Sequence, residues 1–342
     1  MRPASAAGPP KRRGEFMKIG MIGLGNMGTA IANNIAKNGN EVFGWEFFED
    51  IVKEINEKHT NSKYLTGIPL SPNLRATSKM EEAVKGMEII FIGLPSLYIK
   101  SILPVFGKAI GKDTIIVNLS KGVEEKTCLT AGHMLSDFFK EHEVVILSGP
   151  SVANEFAQGS PCGVVIAGNN KETLCKVAHA IETPKFRTRF SSDKIGVEWS
   201  GILKNMYAIG LGIIHGVGIE SINFKASYIT RALEEMADVI EAIGGQRKTV
   251  YYLAGLGDLI ATSLSEHSHN RRLGEILSKG LSIEQAKKEL GVLPEGLRAL
   301  LAATYLAEKY HTAMPVAEGI LKVIDGKLKP RQLVEDFMFM GV

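Results

Sequence analysis

The 342-residue sequence is poor in cysteine, and neither its cysteines nor its H-x-H pair has the spacing of a metal-binding motif. Its three cysteines, Cys128, Cys162 and Cys175, are odd in number and lack metal-ligand spacing. They predict free thiols in a reducing cytoplasm rather than a disulfide framework. His267 and His269 form an H-x-H pair without a third ligand at zinc spacing, so no metal site is predicted.

The sequence also has little net charge and no long uninterrupted apolar run. Its formal net charge of +3 comes entirely from the first 16 residues. The remainder therefore gives no charge-based reason to expect binding to nucleic acid or to a membrane surface. No apolar run is long and uncharged enough to predict a membrane span.

The pattern along the chain predicts a leader and two domains. Residues 1–16, MRPASAAGPPKRRGEF, lack an apolar signal core and are interpreted as a leader added for expression. From 17 to 192, β-rich runs such as EIIFIGLP and EVVILSGP alternate with helical patterns, including one near 124–140. This alternation predicts an α/β, Rossmann-type doubly wound sheet. From 193 to 342, helices separated by glycine and proline predict an all-α domain, and a capping box at Ser282 and Gln285 starts one of them.

The stretch GLGNMG places Gly23, Gly25 and Gly28 in a G-x-G-x-x-G pattern between a predicted strand and a helix. The first glycine permits a tight turn, the second admits a pyrophosphate, and the third allows close helix–strand packing. Glu46 ends the next strand, where an acidic residue binds the ribose hydroxyls of NAD. A 2′-phosphate would prefer arginine there, and no lysine or arginine follows until Lys53. The sequence favours NAD over NADP, although a surface role for Glu46 stays open.

A lone charge, Lys204, interrupts the apolar stretch WSGILKNMYAIGLGII. Small and apolar residues surround it at helical spacing on both sides, so this helix is predicted to be buried. A buried ammonium needs a charged partner or a lowered pKa, which makes Lys204 a candidate for chemistry. The main apolar stripe of the predicted helix consists of Ile195, Trp199, Ile202, Met206, Ile209 and Ile213.

Four more stretches contain groups that could act with this lysine: NLSKG, SGPSVANE, GILKN and GLGDLIATSLSEHSHNRRLG. Each also has an ordinary structural interpretation. Lys121 suits a solvated turn, and Asp258 suits a helix cap formed through Thr262. Arg271 and Arg272 suit a solvated helix face.

Taken in this order and spacing, the stretches resemble the NAD-dependent glycerol-3-phosphate dehydrogenase family from Met17 to about Glu335. The resemblance implies reversible hydride transfer between NAD(P)H and dihydroxyacetone phosphate or sn-glycerol 3-phosphate, which feeds glycerophospholipid synthesis. It implies that Lys204 accepts the proton in alcohol oxidation with Asn205 beside it. Lys121 would contact substrate and cofactor.

The resemblance also implies a full set of site residues and a phosphorylated small-molecule partner. The expected location is cytoplasmic, and the sequence leaves the oligomeric state open, with a homodimer as one alternative. The implied catalytic residues are Lys204, Lys121, Asp258 and Thr262. The implied cofactor-binding residues are Gly23, Gly25, Asn26, Met27, Gly28, Glu46, Pro95, Lys121, Ala153, Arg271 and Glu295. The implied substrate-binding residues are Lys121, Gly149, Ser151, Lys204, Asn205, Asp258, Ser268, His269 and Asn270.

Two departures from the family pattern keep alternatives open. Met27 replaces the usual aromatic residue of the glycine loop, and GLGNM also suits β-hydroxyacid dehydrogenases. Those enzymes, however, carry a lysine and an asparagine one helical turn apart, whereas Lys204 and Asn205 are adjacent. His269 replaces an arginine that helps bind phosphate, and histidine is a weaker donor whose charge depends on pH. Arg271, Arg272 and Lys225 are the alternative residues that could bind the phosphate instead. A non-catalytic NAD-binding protein with the same fold is the alternative from a different class.

Overall fold

The computed structural model describes residues 16–124, 127–265 and 268–339. Residues 1–15 of the predicted leader and His267 lie outside the described residues. The chain separates into two units: the first runs to Ser120 and resumes at Ala131–Lys194, and the second contains Lys121–Thr130 and the chain from Ile195 onward. The ten-residue segment Lys121–Thr130, which lies within the first predicted domain, therefore belongs to the second unit.

An eight-stranded sheet organises the first unit, as predicted for a doubly wound domain. Its strands are β1 Lys18–Ile22, β2 Glu41–Trp45, β3 Leu74–Thr77, β4 Ile89–Ile92, β5 Ile115–Asn118, β6 Val144–Ser148, β7 Cys162–Ala167 and β8 Phe186–Ser191. Their order across the sheet is β3-β2-β1-β4-β5-β6-β7-β8. All adjacent pairs are parallel except β6 with β7, which is antiparallel. In register, Ile19 of β1 lies between Val42 of β2 and Ile89 of β4.

Seven helices accompany these strands in the described part of the first unit. They are α1 Asn26–Lys37, α2 Glu49–Lys58, α3 Met80–Val84, α4 Ile99–Ala109, α5 Ala131–Phe138, α6 Ala153–Ala157 and α7 Lys171–Ile181. The helix predicted near 124–140 begins only at Ala131, because Thr130, directly before it, pairs with Val123 in a β-bridge. The elements β3, α3 and α6 are not predicted from the sequence, because each has only four or five residues and therefore too few positions to show a period.

Helices α8–α15 form the second unit. They are α8 Lys194–Gly216, α9 Ile222–Ala242, α10 Asp258–Leu264, α11 His269–Leu277, α12 Ile283–Leu290, α13 Glu295–Tyr310, α14 Pro315–Ile324 and α15 Pro330–Phe339. The predicted capping box is present at the start of α12, where Ser282 and Gln285 bond reciprocally. No described helix combines the length and apolar character needed to cross a bilayer.

Helix α8 is buried on all sides over most of its length, as its apolar sequence predicts. Ile195 is the exception in the predicted stripe: it is 42% exposed because it lies in the first turn, before the helix enters the core. Glycines bring α8 against α11. A Cβ on Gly212 would lie 1.9 Å from the carbonyl oxygen of Arg271, and one on Gly274 would lie 2.0 Å from that of Ile209. This close approach places the first turn of α11 beside the middle of α8.

A buried carboxylate links α9 to the start of α14. Glu235, only 1% exposed, accepts the backbone N–H of Val316 at 2.7 Å, the N–H of Ala317 at 3.2 Å and the hydroxyl of Tyr207 at 3.0 Å. It thereby satisfies two of the N–H groups that a helix N-terminus leaves without intrahelical partners. Burial raises the pKa of Glu235 to about 7, although the three donors act in the opposite direction.

This raised pKa predicts a pH-dependent contribution of Glu235 to the free energy of unfolding. Because the folded pKa exceeds the usual 4.5, the stabilisation is complete below pH 4.5 and is lost as the pH rises through 7. Glu235→Gln removes this titration. The difference in unfolding free energy between wild type and variant should therefore be larger near pH 5.5 than near pH 8, by about 2 kcal/mol.

Urea unfolding at both pH values measures this difference. Glu234→Gln is the matched control, because Glu234 is 45% exposed and pairs only with surface Arg231 among the partners described. A difference for Glu235→Gln that does not change with pH would contradict the assignment.

Candidate functional site

The glycine-rich turn between β1 and α1 has the geometry that its sequence predicts. Gly23 has φ of +96°, a conformation that favours glycine, and a Cβ on Gly28 would lie 1.9 Å from the carbonyl oxygen of Gly23. A Cβ on Gly25 would meet no atom within 4 Å. The first and third glycines are therefore required by the fold, whereas the second leaves open space at the N-terminus of α1.

A loop that the sequence analysis did not single out is tied to this turn. Asn26 donates from Nδ2 to the carbonyl oxygen of Tyr64 at 2.5 Å and to Oδ1 of Asn154 at 3.0 Å. Asn61 donates to the carbonyl oxygen of Leu24 at 2.9 Å. Side-chain amides thus fasten residues 61–64 to the glycine turn. An N-x-x-Y spacing alone carries no signal for such a role.

Glu46 lies directly after β2, at the carboxyl end of the strand. Its side chain is largely buried, and Oε1 accepts the backbone N–H of Phe48 at 3.2 Å. The remaining acceptor sites of the carboxylate can receive a ribose diol, which donates two hydroxyls. The open space at Gly25, the N-terminus of α1 and this carboxylate together fit a dinucleotide.

Other predicted residues of the first unit follow the neighbouring strands. Pro95 follows β4, Gly149 and Ser151 follow β6, and Ala153 starts α6. Gly149 has φ of +125°, and the Ser151 hydroxyl donates to its carbonyl oxygen at 3.0 Å. In an open α/β sheet, ligands bind at the carboxyl ends of strands where the order reverses, here between β1 and β4. These residues all lie at that edge of the sheet.

In the second unit, a buried carboxylate joins the two candidate lysines. Asp258 Oδ1 accepts Lys204 Nζ at 2.7 Å, and Asp258 Oδ2 accepts Lys121 Nζ at 2.6 Å. Lys204 Nζ also donates to the Thr262 hydroxyl. The side chains of Lys204 and Asp258 are 8% and 4% exposed, whereas that of Lys121 is 23% exposed. All four predicted catalytic residues therefore form one cluster.

The cluster perturbs the protonation of Lys204. Burial lowers the pKa of Lys204 from 10.5 to about 8, Asp258 acts to raise it, and the positive charge of Lys121 lowers it further. The ammonium is thus held in place by the carboxylate yet can lose its proton near neutral pH.

Asp258 does not cap a helix, which corrects the ordinary interpretation of its sequence position. A π-helical turn at Leu253–Gly257 runs directly into α10, so Asp258 is already a helical residue and its side chain points to the lysines. A helix start at Asp258 is predicted from the sequence, but the π-helical turn that precedes it is not. Gly255 is needed here, since a Cβ would lie 2.0 Å from the carbonyl oxygen of Val250. π-Turns of this kind are frequent at functional sites.

A second buried carboxylate holds the segment that carries Lys121. The Thr130 hydroxyl donates at 2.7 Å to Oε2 of Glu198, a residue of α8 that is 8% exposed. Together with the bridge between Val123 and Thr130, this bond fixes the segment to α8. The sequence gives no signal for this role of Glu198, because an acidic residue in the first turns of a helix is common.

A chain of amides lies next to Lys204. Asn270 donates to Oδ1 of Asn205 at 3.0 Å, and its own Oδ1 accepts the N–H of Gly296 at 3.0 Å. Asn205 in turn donates to the carbonyl oxygen of Gly201 at 3.3 Å. The predicted substrate residues Asn205 and Asn270 are therefore brought together by the close packing of α8 and α11.

The remaining predicted residues lie at helix starts. Ser268 caps α11 by accepting the N–H of Arg271 at 3.3 Å, and His269 is exposed in its first turn. The guanidinium of Arg271 donates to Glu275 at 3.0 Å and to the carbonyl oxygen of Ser263 at 3.4 Å. Arg271 therefore already has hydrogen-bond partners among the described residues. Glu295 starts α13, 3.5 Å from Arg298.

Two family models match successive parts of the chain. The model described as NAD-dependent glycerol-3-phosphate dehydrogenase N-terminus matches residues 18–174, and the corresponding C-terminus model matches residues 193–335. A glycerol-3-phosphate dehydrogenase from Clostridium tetani, named as using NAD(P)+, is 37% identical over 306 residues, 90% of this chain and 87% of that protein. A relative of the same name from Thermobifida fusca is 35% identical over 324 residues, 94% of this chain and 96% of its own.

Solved structures agree with these matches. A glycerol-3-phosphate dehydrogenase from Coxiella burnetii superimposes with a TM-score of 0.88 at 30% identity, covering 94% of this chain and 99% of that one. A D-mandelate dehydrogenase, in contrast, has a TM-score of 0.61 at 16% identity over 93% of this chain and 99% of that one, a likeness of fold alone.

The geometry of the glycine turn predicts that a substitution at Gly25 weakens dinucleotide binding without affecting the stability of the fold. Gly25→Ala adds a methyl group to open space at a φ of −66°, which alanine adopts freely, so the melting temperature should stay that of wild type. The same methyl group occupies the space that a pyrophosphate needs, and NADH affinity should fall by about tenfold or more.

Gly28→Ala is the matched comparison, because its Cβ would strike the backbone of Gly23 and should lower the melting temperature itself. Thermal unfolding and NADH fluorescence titration measure the two effects. Unchanged NADH affinity in folded Gly25→Ala would contradict the assignment of this space to the pyrophosphate.

Proposed function

The chain belongs to the NAD-dependent glycerol-3-phosphate dehydrogenase family, and from that premise we propose that Lys204 moves the proton of its reaction. The enzyme is an NAD(P)-dependent oxidoreductase that interconverts dihydroxyacetone phosphate and sn-glycerol 3-phosphate. When bound, NAD(P)H supplies the hydride that reaches the substrate carbonyl carbon. Gly23, Gly25, Gly28 and Glu46 would hold the dinucleotide, and the groups around Lys204 would hold and protonate the substrate.

The lowered pKa of Lys204 is the observation that supports this role most directly. A proton carrier works best when its pKa lies near the working pH, and a free lysine is far too basic. With a pKa of about 8, Lys204 is mostly protonated at neutral pH and can donate to the developing alkoxide during ketone reduction. In alcohol oxidation the neutral amine accepts the same proton.

Asp258 and Lys121 would hold and assist this lysine. The bond of 2.7 Å from Lys204 to Asp258, together with the contact to Thr262, restricts the ammonium to one direction. Lys121 adds a second positive charge on the other carboxylate oxygen. A positive charge that is already in position when the reaction begins stabilises the negative charge that develops on the substrate oxygen. Lys121 therefore serves substrate binding as well as rate.

The amide chain at Asn205 and Asn270 would orient the substrate, and the start of α11 would receive its phosphate. A helix N-terminus offers unbonded N–H groups and a favourable dipole to a phosphate. His269 is exposed there, whereas Arg271 is already bonded to Glu275 and Ser263. Gly149, Ser151, Pro95, Ala153 and Glu295 keep their proposed substrate and cofactor roles from the family pattern.

Three finer proposals concern cofactor choice, assembly and location. The carboxylate of Glu46 favours NAD over NADP, since a 2′-phosphate would meet its negative charge. Exposed Leu301 and Tyr305, one turn apart on α13, support a homodimer. None of Cys128, Cys162 and Cys175 forms a disulfide among the described residues, which supports a cytoplasmic location, where the product would feed glycerophospholipid synthesis.

Lys204→Met tests the proton transfer. Methionine fills the same space and leaves Asp258 paired with Lys121, so the protein should fold and bind NADH. Turnover of dihydroxyacetone phosphate should nevertheless fall by about 10²–10⁴-fold or more. Lys287→Met on exposed α12 is the matched control and should keep wild-type turnover. A folded Lys204→Met protein with near-normal kcat would end the assignment.

The pH profile gives the same test a second readout. In the wild-type enzyme, kcat for alcohol oxidation should rise as the pH passes about 8, and kcat for ketone reduction should fall over that range. Lys121→Met removes a repelling positive charge, so the pKa of Lys204 should rise and both midpoints should move to higher pH. The same variant should raise the KM for substrate.

The phosphate site predicts different effects for two neighbouring residues. His269→Ala should raise the KM for dihydroxyacetone phosphate by about tenfold, because a charge-assisted bond to phosphate is lost. Arg271→Ala should change KM much less, since this guanidinium already has partners. Steady-state kinetics of both variants decide the point. A steep rise in KM for Arg271→Ala with little change for His269→Ala would move the clamp to Arg271.

A further inference from the structure

A lysine outside the proposed mechanism stands beside the acidic end of β2. Lys63 Nζ lies 4.1 Å from the centroid of the Phe48 ring and 5.1 Å from that of the Tyr64 ring. The backbone N–H of the same Phe48 donates to the Glu46 carboxylate at 3.2 Å. Phe48 therefore contacts both the carboxylate of Glu46, which is proposed to bind the ribose, and the ammonium of Lys63.

The loop that carries Lys63 is firmly anchored. Glu54 of α2 accepts the Thr60 hydroxyl and the Ser62 N–H, each at 2.8 Å. Asn61 donates to the carbonyl oxygen of Leu24 in the glycine turn at 2.9 Å. The backbone on the N-terminal side of Lys63 is thus held to α2 and to the dinucleotide turn. The ammonium is presented from a fixed loop rather than from a solvated helix face.

Lys63 forms no ion pair among the residues that the structure describes. Its ammonium is held against two aromatic rings, and a cation–π contact at an exposed site is weaker than a charge-assisted hydrogen bond to a phosphate. A phosphate that arrived within reach could therefore draw the ammonium away from the rings. Lysine is a flexible point charge suited to such a move.

The residues that follow Glu46 in the sequence bear on the role of Lys63. In a dinucleotide-binding domain, a 2′-phosphate is accommodated by an arginine near the acidic residue at the end of the second strand. Here Glu46 is followed by Phe47 and Phe48. We propose that Lys63, reaching across the Phe48 ring, binds the 2′-phosphate of NADP(H) and allows the enzyme to use it beside NAD(H) despite Glu46. This proposal rests on the proposed function, because it concerns the same dinucleotide site.

The test measures binding without turnover. Adenosine 2′,5′-bisphosphate and 5′-AMP are titrated by calorimetry into wild type, Lys63→Met and Lys58→Met. Lys58 is an exposed lysine near the end of α2 and serves as the matched control. In Lys63→Met the Kd for the bisphosphate should rise by about 10- to 100-fold, because a charge-assisted bond is lost. The Kd for 5′-AMP should stay within about twofold, and Lys58→Met should match wild type.

Kinetics with both cofactors completes the experiment. In Lys63→Met, kcat/KM should fall for NADPH and stay unchanged for NADH, whereas Lys63→Arg should retain NADPH use. If Lys63→Met weakens the binding of both adenosine ligands equally, the lysine has a structural role in the loop. If it weakens the binding of neither, the lysine has no role in binding. Either result would overturn the proposal. Loss of turnover in wild type would sink the proposed function alone, because the binding measurements require no reaction.

Discussion

The proposed chemistry depends on one buried carboxylate that accepts hydrogen bonds from two ammonium groups. Asp258 accepts Lys204 and Lys121 on separate oxygens, so the cluster carries one positive charge in excess when both lysines are protonated. Such an excess is costly in a buried place unless an anion offsets it. In the proposed reaction, a phosphorylated substrate whose oxygen gains negative charge during reduction would provide that anion. Burial is the largest cause of the lowered pKa of Lys204, and the positive charge of Lys121 lowers that pKa further against the opposing effect of Asp258.

The backbone that supports this cluster is constrained by glycine. Gly212 and Gly274 let α8 and α11 approach until their main chains touch, and this contact places Asn270 within 3.0 Å of Asn205. Gly255 likewise lets the π-turn pack onto Val250, after which Asp258 faces the lysines instead of solvent. A larger side chain at any of the three glycines would move a functional group by pushing apart the elements that carry it.

Local features of the site could be predicted from the sequence, because their causes are local. The glycine turn follows from backbone conformation within six residues, and the buried helix α8 follows from its apolar periodicity. That Lys204 is buried could therefore be inferred as well. The partner of Lys204 could not be inferred from spacing. Asp258 lies 54 residues after Lys204 in the sequence, and Lys121 lies 83 residues before it. Only the family resemblance suggested that these residues meet.

The errors of sequence interpretation arose where tertiary contacts override local preference. Aspartate is a common helix-capping residue, so the sequence predicts that Asp258 bonds a backbone N–H. Hydrogen bonds from two ammonium groups stabilise its carboxylate more strongly than one backbone N–H would. A helix is predicted to begin near residue 124, yet Thr130 forms a β-bridge with Val123 and donates a hydrogen bond to Glu198 of α8. In both places the local rule fails beside a catalytic candidate. Such failures are expected there, because a functional group must be placed for its reaction and not for the most stable local structure.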